Sequence, residues 1–385
     1  MSSEISIIIS ISLIIFFSPL ISNFLKIPTV AVEIILGSIF LYFNLISNNH
    51  IFELVAHLGF YYLMFLAGLE VDLKKIVTIS NSLLKRSLLY ILLLYSLSIT
   101  IAFYLDLDKI FIVILPLISV GLIATLKKEY GNKDWIKLSI TVGLIGEIIS
   151  IIVLTIVSAG LEFGNEWLFY KTIILFTIFI IFILIFYKFF HHIIWWYPEL
   201  KTYLMPKVDT QERDIRLSMA IFFLMISFMI FLKLEIALGA FLAGIFIITF
   251  FEHNKQLPRK LEHFGFGWLV PIFFIYIGVS LNIESVLKDN LITTALLITF
   301  AMISIRVLSA SILIKDLGHQ KSLLIALSHS MPLTLLIAVA SLAYHNNSLS
   351  EFYYYAFILA SILEVLIIMI LIRLVHTIFI KFNNK

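Results

Sequence analysis

Apolar runs long enough to cross a bilayer are the feature that most constrains the fold of this chain. The hydrocarbon core is about 30 Å thick, and a helix needs roughly 20 apolar residues to cross it. A bilayer offers no partners to backbone polar groups, so such runs fold as helices. The composition agrees, with 61% hydrophobic residues, 13% charged residues and a mean hydropathy of +1.08. The sequence therefore predicts an all-α polytopic membrane protein with about 13 transmembrane helices, near residues 5–22, 29–47, 54–70, 87–104, 109–126, 136–160, 170–190, 216–231, 235–251, 264–281, 291–314, 320–344 and 353–380.

Lysine and arginine are distributed unevenly between alternate loops, and this predicts the orientation. One set of loops holds nineteen of them, whereas the other set holds four, Lys109, Lys171, Lys233 and Lys288. Positive charge concentrates in cytoplasmic loops. We therefore predict a multi-pass protein of the cell (inner) membrane with its N-terminus outside and its C-terminus in the cytoplasm. The longest polar stretch, residues 191–215, is predicted to be a cytoplasmic loop that connects two halves, 1–190 and 216–385.

Several function classes are disfavoured by what the sequence lacks. It has no cysteine, so disulfides, thiolate catalysis and cysteine-ligated metals are excluded. It contains no phosphate-binding glycine loop and no HExxH-type metal motif. The net charge of +3 is small and spread over short loops, which does not indicate nucleic-acid binding. We expect neither an enzyme nor a bound cofactor.

The two halves repeat the same apolar phrases in the same order. LGSIF at 36–40 corresponds to AGIFI at 243–247 in the second half. GFYYLMFLAGLEVDL, from Gly59, is answered by GWLVPIFFIYIGVSLNI, from Gly267. The matched spans lie an odd number of spans apart, so the halves face opposite ways across the membrane. Chance similarity between apolar helices is the alternative, but inverted repeats are typical of secondary transporters, whose sites lie near the midplane.

A proline and then a glutamate follow in each half, at matching distances. Pro116 precedes Glu147 by 31 residues, and Pro332 precedes Glu364 by 32. A proline inside a helix removes a backbone donor and frees a carbonyl, which must then face protein, water or an ion. We expect two broken helices that cross near the midplane, with hydroxyl groups beside them from Ser119, Ser330 and Thr334. An ordinary proline kink is the alternative for either residue alone.

Glu147 is the leading candidate for a functional residue. It lies at the centre of its span, with Gly143 and Gly146 before it and Ser150 one turn later. An ionised carboxylate at mid-membrane depth costs several kcal/mol, roughly 2.5 to 3.5, unless it is neutralised or paired. We interpret it as a carboxyl that exchanges a proton for a cation, with Ser119 and Ser150 as further ligands. A protonated acid that joins helices is the structural alternative.

Arg306 is a permanent cation deep in another span and needs a partner carboxylate or carbonyl groups. Glu364 and Glu147 are both candidates. Pairing with Glu364 would leave Glu147 free for exchange, and this is the arrangement that we favour. Pairing with Glu147 would force a cation to compete with the arginine.

Five phrases in order resemble one known family: PTVAVEIILGSIF, LGFYYLMFLAGLEVDLKKI, SVGLIATLKKEYG, ALGAFLAGIFI and PIFFIYIGVSLNIESVL. They are similar to the monovalent cation:proton antiporters, which include sodium/proton exchangers and the membrane domains of Kef-type potassium efflux systems. The resemblance implies a homodimer and an elevator-like alternating-access cycle. It also implies a dimerisation domain at about 1–70 and 216–285, and a core transport domain with crossed broken helices at about 85–160 and 291–380.

The chain departs from the family pattern at one position. Electrogenic members usually carry two adjacent acids in the sixth span, where this sequence has Gly146 followed by Glu147. The exchanging acid maps onto Glu147, the basic residue of the eleventh span maps onto Arg306, and the first acid is absent. One exchanging carboxyl favours electroneutral exchange of Na+ or K+ for H+, and no metal beyond the transported ion is expected.

Two further expectations concern regulation and rival functions. The sequence ends at Lys385, so the nucleotide-binding domain of Kef systems would be supplied by a separate cytosolic regulatory subunit. Because the first acid is absent, a rival function is a channel-like potassium pathway or a non-exchanging membrane scaffold. A symporter of organic anions is a third reading, which the antiporter phrases disfavour.

Overall fold

The structure is a computed structural model, and every regular element that it describes is a helix. It describes residues 3–25, 27–47, 49–71, 79–120, 122–123, 126, 130–131, 133–164, 166–197, 199, 211–232, 234–251, 254–280 and 290–383. The α-helices in these ranges are α1 Ser3–Leu25, α2 Thr29–Tyr42, α3 His50–Glu70, α4 Asn81–Tyr104, α5 Phe111–Ile114, α6 Asp134–Phe163, α7 Trp167–Trp196, α8 Arg213–Leu232, α9 Ile236–Phe250, α10 Leu257–Phe264, α11 Val270–Ser280, α12 Leu291–Ser309, α13 Ile314–His329, α14 Leu333–His345 and α15 Glu351–Asn383. A π-helical turn, Gly265–Leu269, joins α10 to α11, and a 3₁₀ turn, Ala310–Leu313, joins α12 to α13.

The length and apolarity of these helices fit a membrane-spanning chain. Within the described ranges, eight helical stretches are long and apolar enough to cross a bilayer, and four shorter apolar helices accompany them. The stretch from Leu291 to His329 counts once here, although it covers parts of two predicted spans. The prediction of an all-helical polytopic membrane protein is confirmed, while the number of crossings stays a prediction.

The chain forms two compact units. Unit 1 comprises residues 1–74 and 158–282, and unit 2 comprises residues 75–157 and 283–385. Both units combine segments from the first and second halves of the chain. The two halves of the chain therefore interleave in both units.

Unit 1 is held together by two close helix crossings at glycines. A Cβ atom on Gly68 of α3 would lie 2.0 Å from the Phe241 carbonyl oxygen of α9, and one on Gly244 would lie 2.1 Å from the Phe65 oxygen. The crossing of α2 and α11 is built in the same way, because a Cβ on Gly278 would lie 2.1 Å from the Ile34 oxygen. Small residues allow membrane helices to approach with backbone in contact.

These crossings pair the landmarks of the two halves reciprocally. Gly37, in LGSIF, lies against Gly278 from the second half, where a Cβ would be 3.1 Å from the glycine Cα. Gly244, in AGIFI, lies against Gly68 from the first half. The first landmark of each half thus contacts the second landmark of the other half.

Unit 2 contains both prolines that were predicted to break helices. Helix α5 ends at Ile114, and residues 115–120 around Pro116 are not helical. In the second half α13 ends at His329, residues 330–332 are not helical, and α14 begins at Leu333. The predicted spans 109–126 and 320–344 are therefore interrupted within the described residues, at the two prolines.

The connection between the halves begins later than predicted. Helix α7 continues to Trp196, six residues into the stretch 191–215 that was predicted to be a loop. The apolar and aromatic residues HHIIWW carry no helix-breaking residue, and the first proline follows at 198. Residues 198, 200 and 201–210 of that stretch lie outside the described residues.

Candidate functional site

Glu147 lies at the centre of a buried polar cluster in unit 2. It is carried by α6, and 1% of its surface is exposed. Ser119 Oγ donates a hydrogen bond to Glu147 Oε1 at 3.1 Å, and the Val120 backbone N–H donates to Oε2 at 3.4 Å. Both donors belong to the non-helical segment after Pro116, so the broken helix presents its groups directly to the carboxyl.

Ser150 and two glycines bring the same segment against α6. The Ile118 N–H donates to Ser150 Oγ at 3.5 Å, one turn after Glu147. A Cβ on Gly146 would lie 2.6 Å from Ile118 Cδ1, and one on Gly143 would lie 3.0 Å from Val120 Cγ2. The absent side chains therefore allow the segment to lie on the helix at the level of Glu147. Glu147, Ser119 and Ser150 were all named from the sequence. In the structure, the segment 118–120 contains Ser119 and contacts both Glu147 and Ser150 on α6.

The carbonyl group freed by Pro116 is satisfied by a residue that the sequence did not single out. Proline at 116 cannot donate to Ile112, four residues earlier. Ser98 on α4 donates instead to the Ile112 oxygen at 3.3 Å and to the Phe111 oxygen at 3.2 Å. The Ile112 carbonyl therefore has a protein hydroxyl as its partner.

Arg306 reaches the carbonyl on the other side of the same proline. It is fully buried on α12, and its NH2 group donates to the Leu117 oxygen at 2.6 Å. Its NH1 group donates to the Met302 oxygen at 2.7 Å, one turn back on its own helix. NH1 also lies 3.6 Å from Glu364 Oε1 on α15, an ion-pair distance but longer than a hydrogen bond. Of the two partners considered from sequence, Glu364 is the one within ion-pair reach.

The second break carries a different set of contacts. Ser330 Oγ donates back to the Ala326 oxygen at 3.0 Å, so this hydroxyl satisfies its own helix. Pro332 is buried, and Thr334 is half-buried at the start of α14. Neither hydroxyl contacts Glu147 within the described hydrogen bonds.

His329 joins the end of α13 to two other helices. Its Nε2 lies 2.9 Å from the Ser139 backbone oxygen of α6, and its Nδ1 lies 3.2 Å from the Tyr90 hydroxyl of α4. A carbonyl can only accept, so Nε2 donates to the Ser139 oxygen, while the Tyr90 hydroxyl is able to donate to Nδ1 or to accept from it. The Ser328 and Ser139 hydroxyls are also in hydrogen-bond contact. Both ring nitrogens of His329 are therefore hydrogen-bonded in this arrangement.

Leu117, Ser98, Tyr90 and Ser139 were missed by sequence reasoning. One signal was available for Tyr90, which lies 26 residues before Pro116, as Arg306 lies 26 residues before Pro332. Each of these two side chains contacts the break of the opposite half: Arg306 bonds Leu117, and Tyr90 bonds His329. No comparable signal marks Ser98 or Ser139.

A resident metal is not indicated in the part of the chain that the structure describes. No group of three or more His, Cys, Asp or Glu residues lies close enough there to hold a metal ion. The carboxylate and hydroxyl oxygens near Glu147 are hard ligands, which suit hard cations better than soft metals.

Most of the sequence matches a known family. The model of the sodium/hydrogen exchanger transmembrane region matches residues 12–378. The chain belongs to the sodium/hydrogen exchanger family. It is accordingly a multi-pass membrane protein of a transporter family and not an enzyme, and the resemblance read from its five phrases is confirmed.

Two relatives show how far the likeness extends. A Bacillus subtilis (strain 168) protein named as an Na+/H+ antiporter, YjbQ, is 29% identical over 292 residues, which is 70% of this chain and 46% of that protein. A Methanocaldococcus jannaschii protein named as Na+/H+ antiporter 3 is 27% identical over 86 residues, 22% of each chain. The chain thus spans about half the length of the Bacillus exchanger that it matches, and less of the archaeal one.

Proposed function

We propose that this exchanger moves a monovalent cation, Na+ or K+, against a proton by alternating access, and that Glu147 is the exchanging carboxyl. The observation that carries the proposal is the contact between this buried carboxyl and the broken helix. Ser119 Oγ and the Val120 N–H both bond to it. A carboxylate held by two donors in an apolar setting can bind one proton or one cation. Exchange requires that these two ions bind it alternately.

A count of buried charges supports one-for-one, electroneutral exchange. Among the described residues of unit 2, the buried acidic and basic side chains are Glu147, Arg306 and Glu364, together with His329, which we take to be the neutral imidazole. Arg306 and Glu364 cancel each other, which leaves a single negative charge at Glu147. One bound proton or one monovalent cation then neutralises the unit, and a second would leave it charged in a low-dielectric setting.

The remaining parts of the proposal follow from the resemblance and from loop charge. Unit 1 is the dimerisation domain of a homodimer, and unit 2 is the transport domain that moves in an elevator-like cycle. The protein lies in the inner membrane with its N-terminus outside, as the excess of Lys and Arg in one set of loops indicates. A separate cytosolic subunit is the proposed place for nucleotide-dependent regulation.

Proton flux in liposomes tests the proposal. Purified protein is reconstituted with a trapped pH dye, and Na+ or K+ is added outside to the native protein and to Glu147→Gln. We expect a cation-driven pH change that is lost in the variant, because an amide holds neither the proton nor the charge. The cation that drives the change is then the substrate.

Glu33→Gln is the matched control. Glu33 is also a buried glutamate in an apolar helix, 4% exposed, and its Oε1 accepts from Ser18 Oγ at 3.4 Å, but it belongs to unit 1. We expect this variant to keep exchange. Native protein that conducts the cation without moving protons would overturn the antiporter and favour a channel, while equal loss in both variants would remove the special role of Glu147.

A further inference from the structure

The guanidinium of Arg306 bonds to a carbonyl oxygen of the same broken-helix segment that contacts Glu147. Its NH2 group bonds the Leu117 oxygen at 2.6 Å. Leu117 is two residues before Ser119 and three before Val120, and those two residues hold Glu147. Backbone oxygens of interrupted helices are ordinary ligands for monovalent cations in transporters. A cation bound at Glu147 would therefore find a nearby carbonyl already taken by a protein cation.

Glu364 is placed to receive that guanidinium but does not hold it. Oε1 lies 3.6 Å from Arg306 NH1, beyond hydrogen-bond distance. Neither carboxylate oxygen of Glu364 has a hydrogen-bond partner among the described residues, and Arg306 Nε has none there either. Both side chains are fully buried. An arginine and a carboxylate normally form two parallel hydrogen bonds of 2.7 to 2.9 Å.

Unpartnered polar atoms on a buried ion pair require an explanation, because nearly all buried polar atoms are bonded. The three atoms here lie on the two members of one pair. Their bonds would form if the guanidinium turned from the Leu117 oxygen toward the carboxylate. The observed contacts and the unmade ones thus describe two alternative positions of one side chain.

We propose that Arg306 is a switch. Its guanidinium occupies the Leu117 carbonyl oxygen until cation binding at Glu147 displaces the guanidinium onto Glu364. The Leu117 oxygen then becomes a further ligand of the transported cation. The inference deepens the proposed exchange and rests on it. It preserves one-for-one exchange, because the arginine keeps its charge and only moves it away from the incoming cation.

Binding measured without transport tests the switch. Purified protein is heated at increasing concentrations of Na+ or K+, with choline chloride holding the ionic strength constant. The dissociation constant of the cation is obtained from the shift in melting temperature. Glu364→Asp keeps the charge but withdraws the carboxylate by roughly 1.5 Å, one C–C bond. We expect cation binding at least fivefold weaker, because the guanidinium has lost its receiving group.

The double variant Arg306→Gln with Glu364→Gln tests the competition directly. It preserves the net charge of unit 2 and removes the group that occupies the Leu117 oxygen. We expect cation binding at least threefold tighter than in the native protein. Thr299→Val is the matched control on the same two helices, since Thr299 Oγ1 donates to the Ala360 oxygen at 3.3 Å. It should bind the cation as the native protein does.

The outcomes separate this inference from the proposed function. Native binding in Glu364→Asp overturns the switch, and so does a double variant that binds no more tightly than the native protein. A native protein that is not stabilised by either cation, and that behaves like Glu147→Gln in this assay, refutes the proposed site itself. Binding that is lost in Glu147→Gln but unaltered in Glu364→Asp refutes the switch alone.

Discussion

Gly146→Ala should weaken cation binding by pushing the broken helix away from Glu147. The added Cβ would lie 2.6 Å from Ile118 Cδ1 and 3.1 Å from Ile118 Cβ, where ordinary contact begins at 3.4 Å. Rotation of the isoleucine relieves the first contact. The second involves an atom fixed to the backbone, so residue 118 must move by at least about 0.3 Å.

The magnitude follows from the hydrogen bonds next to that residue. The bond from the Val120 N–H to Glu147 Oε2 is already 3.4 Å long, and a further 0.3 Å removes it. The loss of a hydrogen bond to a charged group costs about 1.5 to 3 kcal/mol. The carboxylate then competes less well for a cation against its own proton. We expect the apparent Michaelis constant for the cation to rise at least about tenfold, because 1.4 kcal/mol corresponds to a factor of ten.

Initial rates in liposomes over a range of cation concentrations measure this constant. Ile118→Val in the Gly146→Ala background removes Cδ1 but keeps the Cβ that forces the shift, so most of the loss should remain. Gly160→Ala is the control on the same helix, because its Cβ would meet its nearest neighbour at 3.6 Å. An apparent constant for Gly146→Ala within twofold of native, or an equal rise for Gly160→Ala, would refute the reasoning.

Two further predictions concern pH and packing. If one carboxyl binds either the proton or the cation, the apparent Michaelis constant for the cation should rise by up to about tenfold for each unit of falling pH, while the maximal rate is unchanged. A Michaelis constant that does not depend on pH would exclude competition at Glu147. Gly68→Ala should destabilise the protein by about 1 to 3 kcal/mol, because its Cβ would lie 2.0 Å from a backbone oxygen. Gly267→Ala, which would meet nothing within 4 Å, should melt as the native protein does. Equal melting temperatures for the two variants would contradict the close crossing of α3 and α9.

The charged residues of the candidate site were the part most readable from sequence. A single carboxyl or guanidinium inside a long apolar run stands out, because hydrocarbon penalises it so strongly. Glu147, Arg306 and Glu364 were found in this way, and so were the prolines that interrupt the helices. Their roles in transport stay predictions.

The hydroxyl groups could not be sorted from sequence. Ser330 bonds back to its own helix at Ala326, whereas Ser98 caps Phe111 and Ile112 in another segment. A serine in an apolar helix can do either, and tertiary packing alone decides between them. The backbone ligand at Leu117 was equally hidden, because any residue type supplies a carbonyl.

The reciprocal glycine crossings of unit 1 constrain how such a chain could have arisen and how it can vary. Gly37 meets Gly278 and Gly68 meets Gly244, so neither half supplies both members of a crossing. A chain of half this length could complete the crossings only with a second copy of itself. An added Cβ at any of these four positions would meet backbone atoms, and each partner is already glycine. No change on the partner could make room for a larger residue, so all four positions should stay glycine among homologues.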